Sequence, residues 1–205
     1  MALSIEEGRM AVGLAREILE AHVRGEPMPS RRWTSGPFSE MRGVFVTLNL
    51  TDQLQERLRG CVGFPHPVKF LGDAIQEATV AAASEDPRFP PVKQGELDAI
   101  VLEVSILTPP QDLEASRRQD LPSRVKIGED GLIVSDARQS GLLLPQVATE
   151  FRLDQIEFLS QACMKAGLPP DSWLDSQTRV QVFQAEIFAE IRPRGEVARV
   201  NPRES

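Results

Sequence analysis

The apolar positions of this chain switch between helical and strand-like spacing several times. Ser4 and Glu7 make the polar pattern of a capping box. Ala11, Leu14, Ala15, Ile18 and His22 then recur at helical spacing up to Gly25, which predicts an amphipathic first helix. Residues 25–37, rich in Pro, Gly, Ser and Arg around Trp33, predict a loop lying over the body. "GVFVTLNL" and "RLRGCVGF", separated by the polar "TDQLQE", predict an antiparallel hairpin. In its second arm, alternation sends Leu58, Gly60 and Val62 to the core face, and Arg57, Arg59, Cys61 and Gly63 to the other.

Helical spacing returns at Leu71, Ala74, Ile75, Ala78, Ala81 and Ala82, an alanine-rich stripe suited to close packing on a sheet, and stops at "SEDPRFPPV". "AIVLEVSILTPP" reads as a buried strand ended by two prolines, and residues 111–123 as a polar loop. "KIGEDGLIVSD" predicts a second hairpin turning at Glu129, Asp130 and Gly131. "SGLLLPQVATEF" follows as either a turn with backbone donors or a buried strand entering a helix. Asp154 with Glu157 opens a helix through Phe158, Leu159 and Ala162 to Gly167. In "TRVQVFQAEIFAEI" the apolar phase changes, which predicts a bulge or bend near Val182. Residues 1–195 make the domain, and 196–205 a charged, frayed tail. Hairpins separated by helices give an α+β fold with a largely antiparallel sheet.

Composition narrows the function classes. At 205 residues and 41% hydrophobic content, one compact unit, or two intimately packed halves, is expected. The balance of 23 basic against 30 acidic residues, net −7, disfavours a general grip on nucleic acid, as does the absence of Tyr. No signal-peptide pattern or membrane-length apolar run occurs, so the protein reads as soluble and cytoplasmic. Two cysteines without a CxxC and two histidines predict neither a disulfide framework nor a metal site. GxGxxG, GxxxxGK[ST], HExxH and GxSxG are all missing, which argues against a nucleotide-binding fold and leaves the cofactor unknown.

The candidate chemistry lies around Cys61. Gly60 and Gly63 remove bulk there, so a ligand or another backbone can approach closely. With Arg59 on the same face, a guanidinium would favour thiolate and hold an anion. The alternative is a small core cysteine with Arg59 paired to an acid such as Asp86. In "DPRFPP", Asp86 turns the chain and stiff prolines present Arg88 beside Phe89, as an anion clamp or as a structural plug. His66, proline-flanked, reads as exposed rather than as a base, His22 as a packed or edge residue, and Trp173 as a loop anchor.

"LRGCVG", "DPRFPPV", "VSILTPP", "GLIV", "SGLLLPQVA", "CMKAGLPPDSW" and "FQAEIFAE" together resemble the AMMECR family over nearly the whole chain. The wording is that of its archaeal and bacterial branch, and Val62 stands where the family usually has isoleucine. The resemblance implies one domain of two unequal subdomains with a cleft, the LRGC segment close to it. It also implies a shared modification pathway with Memo-like and radical SAM proteins, and no particular reaction. Three readings stand. The first is an enzyme with Cys61 as nucleophile or redox group and Arg59 and Arg88 orienting an anionic substrate. The second is a binding or adaptor module in which Asp86, Arg88, Gly60, Gly63, Ser140 and Gly141 form a site for a small anion or partner segment. The third, weaker reading is nucleic-acid binding.

Overall fold

The structure is a computed structural model describing residues 2–51 and 55–200. It is an α+β fold whose strands pair antiparallel, with helices flanking them. Two compact units share the chain, Met1–Leu107 with Glu186–Val200, and Thr108–Ala185, each with its own hydrophobic core.

In the first unit, helix α1 (Ile5–Arg24) begins at the Ser4–Glu7 capping box and ends where Gly25 takes φ 68, the left-handed conformation that glycine adopts without strain. Strands β1 (Val44–Thr51) and β2 (Glu56–Phe64) form the expected hairpin. Its turn, residues 52–54, lies outside the described residues. Helix α2 (Leu71–Ser84) leads to β3 (Ile100–Leu107), which pairs with the other side of β1. β2 is therefore an edge strand. Val46 and Leu48 of β1, opposite Val104 and Leu102, join Ile75 and Ala78 of α2 and Leu14 and Ile18 of α1 in one core. The loop after α1 lays Trp33 on Phe38, ring centroids 4.9 Å apart. Gly72 leaves room for that indole, since a Cβ there would sit 2.0 Å from its nitrogen.

The second unit holds β4 (Gln111–Asp112), β5 (Asp130–Ser135), β6 (Ser140–Leu143), α3 (Pro145–Glu150) and α4 (Gln155–Lys165). Asp154 and Glu157 cap α4 reciprocally, as their spacing predicts. The 111–123 stretch is not all loop, because β4 pairs with the last long strand and a 3-10 turn begins at Arg118. The hairpin also differs, joining β5 to β6. The Asp130 carboxylate accepts the Lys126 N–H at 2.9 Å, with Gly128 at φ 78, closing a tight turn before β5. The hairpin's own turn is made by Asp136, whose Oδ1 accepts the N–H groups of Arg138 and Gln139.

Strand β7 (Arg179–Glu190) gives its first part to the second unit and its last five residues to the first. Its pairing with β5 runs unbroken from Arg179 to Gln184, so no bulge lies at Val182. Both phases are buried, Val180 and Phe188 in one and Phe183 and Ile187 in the other, and this explains the lost alternation. Where the sequence predicts a frayed tail, β8 (Val197–Val200) pairs with β7, while residues 201–205 lie outside the described ones. Two buried carboxylates of β7 are paired. Glu190 binds Arg16 and accepts the Leu102 N–H at 3.1 Å, and Glu186 accepts the Leu3 N–H and binds Arg199 at 3.0 Å.

Candidate functional site

The hairpin register changes in the middle of the LRGC segment. Leu48 faces Gly60, but the next residue, Asn49, faces Leu58, so Arg59 is an extra residue, a β-bulge. Strict alternation fails here. Leu58 is 41% exposed instead of buried, and Arg59 is turned inward to 6%. Gly60 still faces the core, and a Cβ on it would lie 2.1 Å from the Ala82 carbonyl oxygen, so the end of α2 rests directly on this backbone. Gly63 is tight against Val44 O and the Phe45 ring.

Arg59 does not serve Cys61. Its Nε and Nη2 hold the Glu96 carboxylate at 2.8 and 3.1 Å, and Nη2 also reaches the Pro91 carbonyl at 3.2 Å. The pairing predicted with Asp86 is thus made with Glu96, whose carboxyl the Arg59 guanidinium holds below its usual range. Arg59 and Arg88 do converge on one ring, their guanidinium carbons 6.0 and 5.5 Å from the Phe89 centroid.

The 86–91 segment is a strap across the edge of β2. Asp86 is buried, and its Oδ2 accepts the Cys61 N–H at 2.9 Å. Arg88 Nη2 donates to the Cys61 carbonyl at 3.3 Å. Both outward backbone groups of Cys61 are therefore engaged as a neighbouring strand would engage them, but by two side chains. The same two side chains bind each other, Arg88 Nε to Asp86 Oδ1 at 2.9 Å and Nη2 to Oδ2 at 2.7 Å. That pairing, helped by the Cys61 and Arg88 amides, holds the Asp86 carboxyl well below the usual carboxylate range against the cost of its burial.

The Cys61 thiol lies on the opposite face of the sheet from α2, in the row of Thr47 and Glu103. Thr47 Oγ1 donates to Sγ at 3.4 Å. Burial pushes the thiol up, Thr47 and Arg88 oppose this, and the Glu103 and Asp86 charges add to it. His66 is exposed, and His22 lies within 3.1 Å of Ser84 Oγ. Neither supplies a base to this thiol. Among the described residues no cluster of His, Cys, Asp and Glu could hold a metal ion.

Ser140 and Gly141 sit on β6 in the second unit, in the strand that enters α3. Gly141 is a close-packing position, where a Cβ would lie 2.2 Å from the Ala166 nitrogen. Ser140 is exposed and pairs with Ser135. Trp173 is buried in that unit's core, an anchor as predicted. Sequence reasoning missed Glu96 and Thr47. Thr47 could have been found by writing out the hairpin register, whereas Glu96 becomes visible only once the bulge turns Arg59 inward.

An α+β protein with a glycine-relieved edge strand, capped by an Asp-Pro-Arg strap, is the class that this geometry defines. The AMMECR1 family model matches residues 12–188, and the chain belongs to that family. It is 52% identical over 191 residues to a protein of Methanothermobacter thermautotrophicus, covering 92% of this chain and 96% of that one. A Thermococcus onnurineus protein is 50% identical, with 95% of each chain covered. The crystal structure of an uncharacterised protein from Pyrococcus horikoshii is similar to this fold with TM-score 0.81 at 47% identity, covering 96% of this chain and 97% of that one.

Proposed function

We propose that the chain works as a binding module that holds an anionic group, carboxylate or phosphate, on the Arg88–Phe89 surface beside Cys61, and does not use Cys61 as a nucleophile. The observation that carries this reading is the state of Arg88. One edge of its guanidinium is fixed by Asp86 and the Cys61 carbonyl, while its side chain is 53% exposed and Nη1 bonds to none of the described residues. A charge held still with one donor edge in solvent loses little freedom on binding. The thiol argues the other way for catalysis, since burial keeps it protonated at neutral pH and no histidine stands by to take its proton. In the pathway implied by the resemblance, with Memo-like and radical SAM proteins, such a module would hold a substrate or partner rather than transform it.

The test is a titration of the isotope-labelled chain with inorganic phosphate and with acetate, following the amides of Cys61, Arg88 and Phe89. Saturable shifts lost in Arg88→Gln are expected, with the remaining spectrum reporting that the variant stays folded. Absence of saturable shifts would overturn the reading. So would alkylation of Cys61 that outpaces Cys163 at a pH well below that of an ordinary thiol, which would restore the enzyme reading.

A further inference from the structure

Away from the strap, the first unit presents a groove of about 350 Å³ where the chain leaves β2 and enters α2. Its apolar lining is Met41, Val68 and Phe70, which are 54%, 64% and 44% exposed. These side chains are not on a loose loop. A backbone bridge ties Met41 to Phe70, the Leu71 N–H donates to the Glu40 carbonyl at 2.9 Å, and the Arg42 N–H to the Lys69 carbonyl at 3.4 Å. Three large apolar side chains held together in water by a fixed ribbon cost free energy unless something covers them.

The polar wall says what kind of partner fits. Lys69 is bound to Glu77 and stacked 4.4 Å over the Phe64 ring, so its charge is already offset. Asp73, one turn before Glu77 on α2 and on the same wall, has no cationic partner among the described residues. The groove therefore carries an apolar floor and one carboxylate, in the first turn of α2, that no cationic side chain among the described residues offsets. We propose that it docks a short segment of a partner protein bearing two apolar anchors and a basic residue, the anchors seated on Met41, Val68 and Phe70 and the cation against Asp73. This stands independently of the anion reading, because no groove residue belongs to the strap.

Two capped peptides test it on the full chain, each with two leucines three residues apart, followed by arginine in one and glutamate in the other. Titration of labelled protein at low salt is expected to shift the Met41, Val68 and Phe70 amides, with the arginine peptide binding about fivefold more tightly, the scale of one exposed charge contact with its repulsive counterpart. Asp73→Asn should bring the two affinities within about twofold of each other. Val68→Ser, at the most exposed anchor position, should weaken both peptides without unfolding the chain. No shift at the groove, or equal binding of both peptides by the unsubstituted protein, overturns the proposal. Concentration-dependent self-association abolished by Val68→Asp would also overturn it, by showing that a second copy covers the groove.

Discussion

Two glycines show how local the constraints are. Gly60 has the Ala82 carbonyl where its Cβ would be, and backbone cannot step aside, so Gly60→Ala is expected to cost about 1–3 kcal/mol, the range for overpacking. Gly13, exposed on α1, has nothing within 4 Å of that point. There Gly13→Ala should add about 0.5–1 kcal/mol through helix propensity alone. Urea denaturation of the pair checks both signs. Composition pointed to Gly60 as a place of close approach, and the structure identifies what approaches as the end of α2. Arg59 was less legible. Its inward turn depends on one inserted residue, and a bulge leaves no mark in a polar-apolar alternation that looks regular on either side of it. The structural-plug reading of Arg88 expected a bridge to an acid or a backbone carbonyl, and Arg88 makes both, to Asp86 and to the Cys61 carbonyl; which partners it takes was not legible, since in a proline-rich turn no periodicity sets side-chain direction.

At the scale of elements, most of the legible structure lay where capping and period agreed, as in α1 and α4, or where the period alone was clear, as in α2 and the β1–β2 hairpin. The misread stretches are those whose polar side chains bond to nearby backbone, such as Asp130 and Asp136 around β5, because such turns compete with the alternation pattern. The strap is the element with the clearest pH signature. Asp86 has a folded pKa held below its unfolded value of about 3.9. Its contribution to stability is then complete above about pH 4 and is lost as pH falls through the lower folded value. Stability measured in urea from pH 5 to pH 2 should fall less steeply for Asp86→Asn than for the unsubstituted protein. Parallel curves would mean that the strap carries no ionic stabilisation.

At the scale of the whole molecule, the two cores differ in how the chain supplies them. The second comes from one uninterrupted run, 108–185, whereas the first needs residues 186–200 to return, bringing Phe188 and Glu190. Arg16 and Glu190 are buried together, with side-chain exposures of 11% and 3%. Arg16→Ala, which strands the carboxylate, should cost about 3–5 kcal/mol, while replacing both residues with methionine should recover most of that loss. Thermal or chemical denaturation of the single and double variants measures it. No helix among the described residues is long and apolar enough to cross a membrane.

The late return of β7 also orders events on the ribosome. Everything that α1 must pack against, apart from this strand and β8, is synthesised long before Phe188 emerges, and until then Gly8 faces no ring and Arg16 has no acid. The second core, by contrast, is complete in the nascent chain while the first still waits for its last strand. Free chains truncated after residue 185 should accordingly protect 108–185 from protease and leave α1 open to cleavage, so that the unit begun first waits on the strand made last.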